Sequence, residues 1–421
     1  MRKFVLFTVI FILITSCIMV APVYQFFSHR GDVPMPPWGY VTIPAESPRF
    51  SQVEDDRYAQ AAGKATETLE EHRQNINSPG ISAAVAIEGK LVWAGGSGWA
   101  DIEAGKPVSK LTQFRIGSTS KALTSTLLAR LVQENILGLD TPLATMDVGN
   151  LNPGWRNITA RQLASHMAGL PHYGDSTEWT GLYRFMTLNT RYEDVLDAVH
   201  LFDDSDLLFA PGEDFSYSSL GTVLLSAVMQ EAANVPYRQL MQTEVLEPLG
   251  MEHTYAEPPV GKATADMARF YWRSDESKPI VRPWRDVDLS HRLAGGGFVS
   301  TPSDLVKLGL GFIDNRFISA DVRKQFWTTQ TLNNGEENEQ HYAIGWRVPT
   351  YEYGEGIGGL MLANHGGVSR GSQSWLMVIP QYKMALAVNI NANTETFWDF
   401  GSVSTELARI FIKVQQQSKP K

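Results

Sequence analysis

The chain has 421 residues, 43% of them hydrophobic, with 36 basic against 45 acidic side chains and a net charge of −9. That is ample apolar material for one large buried core, and the absence of a dense basic run removes the electrostatic footprint that a phosphate backbone requires, so nucleic acid is not an expected partner. Cys17 is the only cysteine, which excludes an intrachain disulfide, a cysteine-based zinc site and a catalytic thiol downstream.

Residues 4–24 carry no charge and come directly after Arg2 and Lys3. A run of that length spans a hydrocarbon core of roughly 30 Å as a single helix. Basic residues ahead of it favour a cytoplasmic N-terminus and export of the rest of the chain. Ile14-Thr15-Ser16-Cys17 also resembles a bacterial lipoprotein signal, in which Cys17 would be lipidated. Apolar residues continue through Val20, which suits an uncleaved anchor better. Both readings put residues 1–27 in or at a membrane and the remainder on its extracytoplasmic side, periplasmic or cell-surface. Residues 28–52 contain Pro34, Pro36, Pro37, Pro44 and Pro48 and read as a semi-rigid linker that lifts the domain off the membrane.

No internal repeat divides residues 53–415, which read as one catalytic domain with a polar tail after it at 416–421. Helix formers fill 53–75. A strand at 81–87, a turn at Glu88-Gly89-Lys90 and a strand at 91–94 make a hairpin. Towards the other end, strands are expected at 358–363, 374–379 and 384–390, with a helical pattern at 402–414. The middle, about 127–292, is dominated by helical periods and long loops. The fold class is α/β in the α+β sense, an antiparallel sheet built from both chain ends, flanked by helices, with an inserted helical subdomain.

Ser118-Thr119-Ser120-Lys121 comes after Phe114-Arg115-Ile116-Gly117, and beyond it Leu123, Leu127, Leu128 and Leu131 recur at helical spacing. Ser118 therefore begins a helix, and Lys121 projects from the same face one turn on. Its amine can reach the Ser118 hydroxyl and take its proton if burial lowers the lysine pKa. Ser-x-x-Lys alone is a short pattern that Ser418 to Lys421 also matches, and the ordinary role of Ser118 would be a helix cap. Two further motifs occur in order: Tyr217-Ser218-Ser219 after the Pro211-Gly212 turn, then His365-Gly366-Gly367 beside a predicted strand. Together the three resemble the serine β-lactamase and penicillin-binding-protein superfamily, in its class C-like branch, over roughly residues 61–411.

The resemblance implies a β-lactamase/transpeptidase-like fold and a serine hydrolase that needs no cofactor. By it, Ser118 attacks a carbonyl to form an acyl-enzyme, Lys121 and Tyr217 share the proton work, and His365 opens the third motif. The backbone amides of Ser118 and Val368 would form the oxyanion hole, with Ser219, Gly366 and Gly367 along the substrate. Trp179 and Tyr183 are further substrate-contact candidates. Ser219 stands where asparagine is usual, and His365 where many β-lactamases have lysine. Neutral histidine attracts a substrate carboxylate less, so a peptide, ester or amide substrate is favoured over efficient β-lactam hydrolysis. The alternative is a penicillin-binding-type sensor that is acylated but turns over very slowly.

Two rival signals carry less. Gly367-Val368-Ser369-Arg370-Gly371 matches a nucleophile elbow, but no histidine lies beyond His365 to complete the serine, acid, histidine order. His166, His172 and Asp175 lack a second metal-ligand pair, so no metal is expected, and His166 reads as a histidine holding a loop. Oligomeric state cannot be read from the chain.

Overall fold

The computed structural model describes residues 2–146, 152–173, 179–354 and 356–418. The chain enters through a long helix α1 (Arg2–Arg30), short strands β1 (Val41–Thr42) and β2 (Arg49–Val53), helix α2 (Ala59–Asn75), and the hairpin β3 (Gly80–Ile87) and β4 (Lys90–Asp101). Glu88 and Gly89 both take positive φ, 51° and 85°, which is the two-residue turn whose twist matches a hairpin. β4 runs past the predicted end at residue 94 because Gly95 and Gly96 are not breakers here. A β-carbon on Gly96 would lie 2.5 Å from the Phe50 ring and 2.7 Å from the Ile81 carbonyl oxygen, so the glycine marks close approach of neighbouring strands.

Helices α3 (Ser120–Gln133), α4 (Trp179–Thr187) and α5 (Ser219–Ala233), the short strand β5 (Ile280–Pro283) and helix α6 (Pro302–Ile313) occupy the middle. The helical layer thus extends beyond the expected limit at 292, to α6 and a further helix at Ala320–Phe326. The chain returns as β6 (Ala363–Ser369), β7 (Ser372–Ile379), β8 (Met384–Ile390) and helix α7 (Phe397–Ser418). The principal sheet has seven strands in the order β6-β7-β8-β3-β4-β2, with Lys106–Pro107 pairing off β4. Both chain ends build it. β8 lies antiparallel beside β3, with Val388 opposite Ala83.

β3 is buried throughout, yet its side chains still alternate between two cores. Ile81, Ala83, Val85 and Ile87 pack with Leu69 of α2 and with Phe400, Leu407 and Phe411 of α7. Ala84 and Ala86 face the helical middle, in one cluster with Leu305 and Leu308 of α6. Small residues on that face let α6 ride close. A β-carbon on Gly309 would sit 2.8 Å from Val378 Cγ2 and 2.9 Å from Ala385.

Three expectations are corrected. The proline-rich segment is not a free spacer, because β1 pairs with β5 and β2 pairs with β4 along the edge of the main sheet. β1 and β2 fall between or after the prolines of the segment, which lie outside them, so no ladder hydrogen bond is lost. The strand expected at 358–363 is two, Gly359–Met361 and β6, and β6 itself carries His365, Gly366, Gly367 and Val368. The tail begins as helix, since α7 continues to Ser418 and the Gln416 side-chain amide donates to the Gly356 carbonyl at 2.8 Å.

α1 holds the exposed apolar run, with Cys17 also exposed, and it docks on the domain. The Trp272 indole N–H donates to the His29 carbonyl at 2.8 Å, and the His29 ring lies 4.4 Å from that of Trp284. The Tyr183 hydroxyl donates to the Met19 carbonyl at 3.2 Å, so Tyr183 contacts α1 and is not placed as a substrate contact.

Candidate active site

The turn Gly117–Thr119 leads directly into α3, which sets Ser118 at the helix start. Two features fasten that turn to the outer edge of β6. Gly117 has φ +50°, and a β-carbon on it would lie 2.5 Å from the Val368 carbonyl oxygen. One on Gly367 would lie 1.9 Å from the Ile116 carbonyl oxygen and 2.7 Å from the Thr119 nitrogen. Only glycine fits at either position. The Thr119 hydroxyl is 3.3 Å from the carbonyls of both His365 and Ser374. Ser118 is half-buried and the Val368 side chain is exposed, so the Ser118 turn and the strand edge meet at an opening to solvent.

Behind that opening the groups are buried. Lys121 Nζ lies 3.3 Å from Ser118 Oγ, 2.8 Å from Ser219 Oγ and 2.8 Å from the Gly295 carbonyl oxygen. Burial, then the Arg347 and Arg292 charges, hold the Lys121 amine well below the ordinary lysine range. Tyr217 shares a side-chain hydrogen bond with Ser118, and its burial pushes the phenol up to about 12. Its ring stands 4.8 Å from Lys121 Nζ and 5.4 Å from the Arg347 guanidinium.

The Tyr217-Ser218-Ser219 corner is held by a cap and two imidazoles. Ser218 caps α5, accepting from the Gly221 N–H at 3.0 Å and donating to the Pro171 carbonyl at 2.7 Å. His166 Nδ1 accepts from the Ser218 N–H, and His172 Nδ1 from the Ser219 N–H, each at 3.2 Å. The His166 ring lies 4.2 Å from the Tyr217 ring. These contacts orient the Tyr217 phenol and the Ser219 hydroxyl toward Ser118 and Lys121. Asp175 lies outside the described residues, as does the side chain of Trp179.

Residues 65–401 match the Beta-lactamase family. The chain belongs to that family. The human mitochondrial serine beta-lactamase-like protein LACTB is 27% identical to it, across 77% of this chain and 73% of that protein. The octameric penicillin-binding protein homologue from Pyrococcus abyssi superposes with a TM-score of 0.66 at 23% identity, covering 83% of this chain and 77% of that one. D-amino acid amidase from Ochrobactrum anthropi SV3, complexed with D-phenylalanine, gives 0.67 at 21% identity, covering 85% and 100%. These two structural likenesses show a shared fold.

Within this beta-lactamase fold His365 occupies an unexpected position. It is fully buried on β6, its Nδ1–H donates to the Gly366 carbonyl at 2.8 Å, and its Nε2 accepts from the Tyr342 hydroxyl at 2.8 Å. Burial, then Arg347 and Lys121, hold the imidazole well below its usual range, so it is neutral and serves as a packed hydrogen-bond link beneath Tyr217, 6.5 Å between ring centroids. Ser369 of the rival elbow leads into the Arg370-Gly371 turn and strand β7, where an elbow needs a helix. Sequence reasoning missed Tyr342, Arg347, Arg292 and Gly295. None belongs to a short motif.

Proposed function

We propose that this serine β-lactamase-like hydrolase acts on a peptide, ester or amide through an acyl-enzyme on Ser118. The single observation that carries the reading is the convergence of a buried, charge-depressed Lys121 amine and a protonated Tyr217 phenol on one half-exposed serine hydroxyl. A neutral amine has two N–H groups and one lone pair. With Ser219 Oγ and the Gly295 carbonyl accepting the two N–H groups, the lone pair is left for the Ser118 proton. Ser118 Oγ then bonds to the substrate carbonyl carbon, and the carbonyl oxygen becomes an anion facing the amides of Ser118 and Val368. As that intermediate collapses, the carbon–heteroatom bond breaks and the Tyr217 phenol delivers a proton to the leaving group, recovering one from Lys121. Water reverses the sequence to release the acid.

The test is a substrate panel of nitrocefin, p-nitrophenyl acetate and butyrate, and D-Ala-D-Ala peptides, read by product formation and by intact mass. Hydrolysis with rapid return to the free mass is the expected outcome, with ester or peptide preferred over the lactam. An adduct that persists for hours would instead assign a slow, sensor-type protein.

The same reading places the enzyme on a membrane through α1, the one helix among the described residues long and apolar enough to cross it. Full-length protein should stay with membranes after an alkaline carbonate wash, and protease added to spheroplasts should digest the catalytic domain. Protection of the domain would overturn the extracytoplasmic assignment.

A further inference from the structure

Beyond Val368 the strand β6 ends at the turn Arg370-Gly371. The Arg370 side chain is half-buried, and among the described residues its guanidinium has no hydrogen-bond or ion-pair partner. Arg292 beside it is buried. Its Nη2 makes a long contact, 3.4 Å to Ser369 Oγ, its guanidinium stands 5.7 Å from the Tyr173 ring and shares a side-chain hydrogen bond with that residue, and its Nε is buried without a partner. The two cations repel, and burial and the Arg292 and Arg285 charges bring Arg370 down to about 9.

Glu257 attracts Arg292, but neither it nor Asp288 forms an ion pair with Arg292 or Arg370 among the described residues. Glu257 is paired with Arg115 at 2.7 Å, and Asp288 accepts from the Ser290 N–H and lies 3.6 Å from Arg191. Arg285 spends its N–H groups on the carbonyls of Thr187 and Met186. Two adjoining, incompletely satisfied guanidinium groups are costly to keep without an anion, and their donor geometry suits a carboxylate.

Arg292 also adjoins the turn that carries Ser118. A β-carbon on Gly296 would touch the Gly117 carbonyl carbon at 3.6 Å and Arg292 Cδ at 3.9 Å. Direction along β6 decides which part of a substrate it meets. Tyr217, the leaving-group acid, stands at the His365 end, whereas Arg370 lies past Val368 at the other. A group held by Arg370 therefore belongs to the acyl portion that stays on Ser118.

We infer that Arg370 and Arg292 form a carboxylate subsite on the acyl side of Ser118, so that the favoured substrates carry an acidic acyl group such as a glutaryl or acidic-residue side chain. This rests on the assignment of Ser118 as nucleophile.

The test compares 4-nitrophenyl glutarate monoester with 4-nitrophenyl butyrate on the full chain. The ratio of their kcat/KM values should favour glutarate by roughly 10- to 100-fold, the size of a charge-assisted contact. In Arg370→Gln the ratio should collapse towards one, and Arg370→Lys should restore part of it. No preference in the parent, or the same preference in Arg370→Gln, would overturn the subsite. Calorimetry with glutarate separates this from a failure of the acyl-enzyme reading, because Ser118→Ala should still bind glutarate and the double variant with Arg370→Gln should not. Absence of glutarate binding to Ser118→Ala refutes the subsite even if esters are hydrolysed; binding without any turnover leaves a carboxylate site but overturns its acyl-side role together with the acyl-enzyme reading.

Discussion

Ser118→Ala is expected to remove covalent labelling by a fluorophosphonate or β-lactam probe and to lower ester hydrolysis by roughly 10⁴- to 10⁶-fold, the loss seen when a serine nucleophile is deleted. The fold should survive. Ser118 Oγ meets Lys121 and Tyr217 and caps no helix through its side chain, so its removal breaks no buried packing and the thermal midpoint should move by roughly a few degrees at most. The rival nucleophile of the elbow-like pattern is Ser369, on β6 and in contact with Arg292. Labelling that persists in Ser118→Ala and disappears in Ser369→Ala would reverse the assignment. Labelling lost only in Ser118→Ala separates the helix-start serine from the elbow-like pattern.

The hairpin at Glu88-Gly89, the sheet from both termini and the helix opened by Ser118 were legible because each is specified by local chemistry. A two-residue turn needs left-handed backbone, a strand needs period two, and a serine before a leucine-spaced run needs a helix. What was not legible depends on partners remote in sequence. β2 looked like linker because the prolines ahead of it, Pro44 and Pro48, argue against a central strand, and nothing local reveals that β4 offers an edge to it. The strand expected to end at residue 94 continues through Gly95 and Gly96, and Gly96 sits where Phe50 and Ile81 occupy the space of a side chain. In the site, the order of three motifs pointed to Ser118, Lys121 and Tyr217. Arg347 and Arg292 act on Lys121 only through the fold, and the burial of His365 under Tyr342 arises from packing that a motif does not encode.

The pH profile tests whether Lys121 is the base. A general base works unprotonated, so kcat/KM should fall as pH drops through the Lys121 pKa, which lies well below the ordinary lysine value of about 10.4. Tyr217 must remain protonated as the acid, and with its phenol at about 12 the alkaline loss lies beyond most assay conditions. Neutral His365 contributes no limb near the ordinary histidine value of about 6.5. Lys121→Met should cost roughly 10³-fold or more and leave any residual rate without the acid limb. The sharper discriminator is Arg347→Gln. A neighbouring cation disfavours the protonated amine, so deleting it raises the Lys121 pKa and moves the acid limb to higher pH, lowering the rate at neutral pH while sparing it in alkali. A limb that stays in place in Arg347→Gln, or persists in Lys121→Met, would mean that another group accepts the Ser118 proton.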